Sequence, residues 1–282
     1  MLIPGDSIPD QMAISLKGQG RISKSFMMML EMIAQSNFSR PFYMSTTVGA
    51  SQFGSLWKHF IQEGMAWRIS PFSFEENSQS YGIVSSVADT EKMYDNMMNK
   101  YHYGNLKQPD LYIDETIMRM CYTHRRWFAT LINHLIKEGN YDKALKALEK
   151  CETEIPSYNV PHTMDSSSLE LAKGFIACGK PEKALPILEQ LEKRATEYAA
   201  WYLTLDAAHF AASYRDCYRS LYGAFNIQDV YENVSQLDSV PAQKENTSMK
   251  ALYGKKANAL NEKVRKLFTE FQEKCDRNNI QL

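Results

Sequence analysis

The chain has 282 residues, 44% apolar and 23% charged, with a net charge of −1. That suits a globular protein with one large domain or two smaller ones. Residues 1–120 carry 10 basic and 12 acidic side chains and the rest 22 and 21, so no part has the basic excess that phosphate backbones demand, and nucleic acid is excluded as a partner class.

No apolar run approaches the ~18–20 residues that span a bilayer; the densest, Phe26 to Leu30, is broken by Glu31. Met1 to Asp6 has neither the basic nor the apolar region of a signal peptide. Taken alone, the chain reads as cytoplasmic, or else as a piece whose export signal or membrane part lies upstream. The five cysteines, Cys121, Cys151, Cys178, Cys217 and Cys275, are widely spaced and read as small apolar core residues rather than as disulfides or a zinc site.

Gln11 to Leu16 alternates as a strand does, and Gly18 and Gly20 break it. Ser23 is placed to cap a helix from Lys24 to about Gln35, which Asn37 ends. Arg40 to Val48 reads as a second strand entered through Pro41. Strand, helix and strand at this spacing predict a parallel βαβ unit, extended by a short helix over Leu56–Gln62 and a strand over Ala66–Ser70. Phe74–Ser86, polar and containing Gly82, reads as a loop. Residues 116–236 are helical in pattern, 237–248 form a polar loop, and a last helix covers about 249–276.

The helical zone contains an internal repeat. Gly139 to Glu152 aligns with Gly179 to Glu192 at an offset of 40, with seven of fourteen positions identical. The pattern predicts a helix ended by a left-handed glycine, a short turn, and a second helix that brings a small alanine to the close approach. This resembles the tetratricopeptide family. The first copy, near 125–158, supplies Phe128, Leu131, Leu135, Gly139, Tyr141, Ala144, Leu148 and Pro156. The second, near 165–198, supplies Leu171, Ala172, Phe175, Gly179, Ala184 and Leu188, with Pro181 in place of the aromatic. Ile132 stands where the family prefers a small residue, which implies looser packing. Pro186 should kink the second copy's second helix. A third pair is expected over Ala199–Ala212 and Arg215–Tyr231, capped by the last helix. One such hairpin cannot bury its apolar face alone, so stacking is required.

A second resemblance runs from about residue 14 to 120, carried by Ile14 to Gly18, Met29 to Ala34, Arg40 to Tyr43, Glu63 to Arg68, Met93 to Lys100, Tyr112 to Glu115, and Arg119-Met120. In this order they resemble the soluble C-terminal tail of polytopic membrane proteins common in Bacteroidetes, whose membrane part is similar to GT-C protein O-mannosyltransferases. The resemblance implies a non-catalytic module on the periplasmic side of a glycosyltransferase-like parent, partnered by the parent's membrane-embedded region and by a protein or acceptor peptide.

The six histidines form no HExxH or HxH pair, so no metal is expected, and no cofactor motif is present. Asp114-Glu115 reads as a helix N-terminal cap rather than an acid pair. Met27, Met28, Met29, Met32, Met93, Met97 and Met98 read as core. Tyr101, His102, Tyr103, Arg125, Arg126 and Trp127 combine aromatics and donors as interaction hot spots do, and are the candidate exposed surface. The expected architecture is α+β, mostly α: a small α/β region over 1–115, then a helix-hairpin array over 116–282. Two alternatives stand beside the module reading: an independent scaffold protein, and a small α/β enzyme in residues 1–115.

Overall fold

The computed structural model describes residues 11–16, 22–49, 52–80, 83–236 and 244–280. It comprises a small sheet-bearing region followed by a helical array, so the α+β, mostly α class holds. The chain divides into two compact units, residues 1–102 and 103–282. The division falls before residue 115 because the segment after His102 adheres to the helices. Tyr103 is buried against Phe128, ring centroids 5.6 Å apart, and Asn159 donates to the Leu106 and Gln108 carbonyls at 2.7 and 2.6 Å.

In the first unit, α1 (Lys24–Ser36) starts where Ser23 Oγ accepts from Phe26 N and ends at Asn37, left-handed at φ 45. It turns Phe26 and Ile33 onto a core of Phe53, Leu56, Phe60, Trp67 and Ile69. Phe60 and Trp67 stack with centroids 5.2 Å apart.

The parallel βαβ unit does not form. Strands β1 (Tyr43–Ser45), β2 (Phe60–Gln62), β3 (Ala66–Ile69) and, further on, β6 (Val87–Ala88) lie in the order β1-β3-β2-β6. β3 pairs antiparallel with both neighbours, Arg68 facing Tyr43 and Ile61, and only β2 with β6 is parallel. Residues 11–16 form no strand: Met12 and Ile14 do turn to the core, but alternation specifies a facing, and among the described residues no ladder partner is present. The short helix is a 3₁₀ turn, Gly54–His59, that runs directly into β2. The expected loop 74–86 holds the antiparallel pair β4 (Ser78–Ser80) and β5 (Ile83–Ser85); a serine-rich arm has no apolar period to announce it. Gly18, Gly20, Gly82 and the stretch 237–243 lie outside the described residues.

Asn77, buried, ties this unit together: its Nδ2 donates to the Trp57 and Phe60 carbonyls, both at 2.9 Å, and its Oδ1 accepts from Val87 N at 2.8 Å. The short α2 (Thr90–Asp95) and a π turn over Asn96–Lys100 close the unit. Met93 and Met97 are fully buried, but Met27, Met28 and Met32 are 51%, 61% and 52% exposed. Those three lie on the α1 face away from Phe26 and Ile33 and are not core residues.

The second unit is three helical hairpins: α3 (Glu115–Lys137) with α4 (Tyr141–Glu154), α5 (Ser168–Ala177) with α6 (Pro181–Thr204), and α7 (Ala207–Gln236) with α8 (Lys244–Arg277). Asp114 caps α3, its Oδ1 accepting from Thr116 N and Ile117 N at 2.8 and 2.9 Å, so the capping reading of Asp114-Glu115 holds. The first two hairpins turn alike. Gly139 and Gly179 sit at φ +74 and +72. Asn140 N bonds Leu135 O and Gly139 N bonds Ile136 O; forty residues on, Lys180 N bonds Phe175 O and Gly179 N bonds Ile176 O. These two bonds close the last turn of a helix only when the residue after it is left-handed.

Ile132 is fully buried, so the expected loose packing does not occur. The neighbouring helix supplies the space instead: a Cβ on Gly174 of α5 would stand 3.0 Å from Ile132 Cγ2 and 3.3 Å from Leu148 Cδ2. Gly174→Val therefore lowers stability by about 1–3 kcal/mol, and adding Ile132→Ala recovers part of the loss. Urea unfolding of the single and double variants checks this; G174V as stable as the parent contradicts it.

The third pair is not where periodicity placed it. α6 continues through Pro186 to Thr204, and α7 begins at Ala207 because Asp206 caps it, accepting from His209 N at 3.0 Å. α8 then runs back along α6 and α7. Its Lys274 donates to the Leu203 carbonyl at 2.7 Å and to the Leu205 carbonyl, so a cation stands where the α6 dipole leaves negative charge.

Candidate functional site

The repeat residues form the seams of the first two hairpins. Phe128, Leu131, Leu135, Ala144, Leu148, Leu171, Ala172, Phe175, Ala184 and Leu188 are all at most 2% exposed, and Pro156 is buried in the loop after α4, whereas Tyr141 is half exposed at the α4 start. These side chains pack, and Phe175 also lies at the edge of one cavity.

The expected aromatic and arginine surface does not form as one surface. Tyr101 lies over Gly64, its hydroxyl accepting from Met65 N at 3.1 Å. Tyr103 and Trp127 are buried, Arg125 is wholly inaccessible, and only His102 and Arg126 are exposed. Three consecutive helical residues fan over roughly 200°, so a helix packed on two sides turns most of such a triplet inward.

Arg125 organises the loop between the hairpins. Its guanidinium donates to the carbonyls of Ile155, Val160 and Pro161 at 2.9, 2.8 and 3.0 Å. It thereby fixes residues 155–161 over the end of α4. From this loop His162, 3% exposed, reaches in two directions: Nδ1 lies 2.9 Å from Ser168 Oγ and Nε2 3.3 Å from Glu152 Oε2. A serine, a histidine and a glutamate in sequence have the composition of a hydrolytic triad. Ser168, however, is fully buried at the α5 start and bonded to Ser166 Oγ at 2.8 Å. No acyl group reaches that hydroxyl, and the chain of contacts works as a strap that holds the loop to α4 and α5.

The strap leaves an open trough along one face of α6. A cavity of about 760 Å³ is lined by Glu149, Glu152 and Thr153 of α4, by Ser157 and His162 of the loop, and by Glu182, Lys183, Pro186, Ile187 and Gln190 of α6, with Phe175. A second, of about 530 Å³, is lined by Pro161, His162, Gln190, Lys193, Arg194, Glu197, Tyr198 and Trp201. The two meet at His162 and Gln190, where His162 N donates to Gln190 Oε1 at 2.6 Å. Positions 182, 186, 190, 193, 197 and 201 repeat at helical spacing, which is why one face of α6 lines the whole length. The opposite stripe, including Ala184, Leu188, Leu191 and Ala199, is core.

The halves differ in chemistry. The first holds three carboxylates against one ammonium, and that ammonium, Lys183, is bound to Glu149 at 2.6 Å. The second carries Tyr198 and Trp201, 43% and 52% exposed, with the Arg194 guanidinium 5.1 Å from the Tyr198 ring centroid and donating to its hydroxyl. The repeat pattern ends this helix near residue 198, which separates Trp201 from Glu182 and conceals the stripe, whereas α6 runs on to Thr204.

Burial raises all five thiols, Cys217 to about 12, so these are packing groups and not thiolate nucleophiles. Among the described residues no group of three or more His, Cys, Asp or Glu is arranged to hold a metal ion.

The fold and the trough define a helical-hairpin array joined to a small sheet-bearing unit. Residues 1–91 match the family model of TMEM260-associated domain 2. The match ends within α2 and leaves the helical array outside it. No curated protein and no solved structure matches the chain. Among the described residues no helix is long and apolar enough to cross a membrane.

Proposed function

We propose that the chain is a non-catalytic soluble module of a GT-C-like, protein O-mannosyltransferase-like membrane protein, and that its hairpins are tetratricopeptide-like units presenting a surface to a partner protein or acceptor peptide. The observation that carries the reading is the trough: an open, α6-lined channel whose wall bears half-exposed Trp201 and Tyr198, residue types that dominate protein-binding energetics. Support for the parent comes from the order of motifs over residues 14–120 and from the TMEM260-associated match over residues 1–91. On this reading sugar transfer belongs to the parent's membrane-embedded region, and the module lies on the periplasmic side. Four of the five cysteines are buried and Cys178 is half-buried, which makes an oxidising compartment tolerable.

Selection of displayed random peptides on the full chain tests the binding reading. The account expects sequences enriched on the parent chain and lost on Trp201→Ala combined with Tyr198→Ala. Failure to enrich, or enrichment indifferent to both substitutions, contradicts it.

A further inference from the structure

The two halves of the trough have opposite demands. In the first half Lys183 is engaged with Glu149, which leaves Glu152 and Glu182 facing the cavity without an ammonium of their own. Glu152 contacts His162 through Oε2, but its Oε1 is buried and has no hydrogen-bond partner. A carboxylate oxygen withdrawn from solvent without a donor is destabilising, and an incoming donor recovers that cost. Pro186, lacking an N–H, gives no ladder bond to the carbonyl of Glu182, four residues earlier, and both residues line the cavity. Ile187 and Phe175 supply apolar wall beneath these acceptors. Carboxylates above an aliphatic wall suit a long cationic side chain, whose stem packs while its head is bonded. The second half presents ring faces, Tyr198 and Trp201, with Tyr198 held by Arg194.

We infer that the trough takes an extended peptide that places a lysine or arginine in the acidic half and an aromatic side chain against Tyr198 and Trp201. This rests on the peptide-binding reading above and names its ligand chemistry. Ile187 and Tyr198 are about 16 Å apart along the helix axis at 1.5 Å per residue, a span of about five residues of extended chain. The basic and aromatic positions of the ligand therefore lie about five residues apart.

The test uses the full chain and two acetylated, amidated peptides of about nine residues. One carries arginine five positions from tyrosine; its twin carries glutamate in place of arginine. Anisotropy titrations read the affinities. The arginine peptide binds at least about tenfold more tightly, a difference of about 1.4 kcal/mol, and the advantage shrinks severalfold in Glu152→Gln and in Glu182→Gln. Glu182 is exposed, so E182Q reads the charge alone even if E152Q disturbs the His162 strap. An arginine advantage that persists in both variants, or a glutamate twin that binds as well, overturns the inference. If that twin binds and Trp201→Ala abolishes its binding, the peptide-binding reading stands and only its ligand chemistry falls. If neither peptide binds, both fall.

Discussion

Arg125→Met lowers the stability of the helical unit by about 3 kcal/mol, the balance between three buried carbonyls left without donors at about 1–3 kcal/mol each and the relief of no longer burying a guanidinium. In a unit of this size that is a fall of about 6–12 °C in Tm. The three carbonyls, of Ile155, Val160 and Pro161, belong to the loop that places His162 in the trough. Arg125→Lys recovers little, because an ammonium cannot reproduce a planar fork aimed at three acceptors. On the proposed reading R125M also weakens peptide binding, since the loop it loosens carries Pro161 and His162, which line the trough. Thermal unfolding followed by circular dichroism checks the first part; R125M within about 0.5 kcal/mol of the parent, the range of inert surface substitutions, contradicts it.

The second large effect lies in the sheet-bearing unit. Glu63, 5% exposed, accepts from Arg68 at 2.5 Å, Lys92 at 3.1 Å and Tyr43 at 3.0 Å. Burial alone would raise its carboxyl; the hydrogen bonds from Arg68, Lys92 and Tyr43 outweigh it and hold the group below its ordinary value. A carboxyl lowered by folding stabilises the native state fully above its unfolded value of about 4.3, and that contribution is lost as the pH falls through the lower folded value. Glu63→Gln therefore costs about 2–3 kcal/mol at neutral pH, as loss of a buried charge-assisted partner does, and removes this component of the acid sensitivity. Amide exchange in β2 and β3 between pH 3 and 7 measures both. Equal acid sensitivity in E63Q and the parent contradicts the assignment.

Where a rule of local chemistry applied, the fold was legible. Ser23 and Asn37 bound α1 as their side-chain and backbone preferences require, and Gly139 and Gly179 end α3 and α5 because only a left-handed residue completes those bonds. The α6–α7 break was equally local, at Asp206, but a strong tyrosine and tryptophan period on both sides masked it. Strand pairing was not legible: Met12 and Ile14 show which way residues 11–16 face, not whether a neighbour pairs with them. The same limit hid the trough. Its α6 stripe is written in one helix, but Glu149 and Glu152 come to it from α4 and His162 from the loop that Arg125 holds, and a buried arginine on three carbonyls leaves no sequence pattern. The triplet Arg125-Arg126-Trp127 looked like a surface because its residue types suit one; its consecutive spacing on a helix forbids it.

The central claim, that the helical array and in particular the α6 trough receives polypeptide, is tested most directly by an amide-exchange map of the full chain with and without the arginine–tyrosine peptide. Protection confined to residues 149–162 and 182–201 is the result predicted. Protection centred on the sheet-bearing residues 22–100, or unchanged exchange along α6 at saturating peptide, contradicts it.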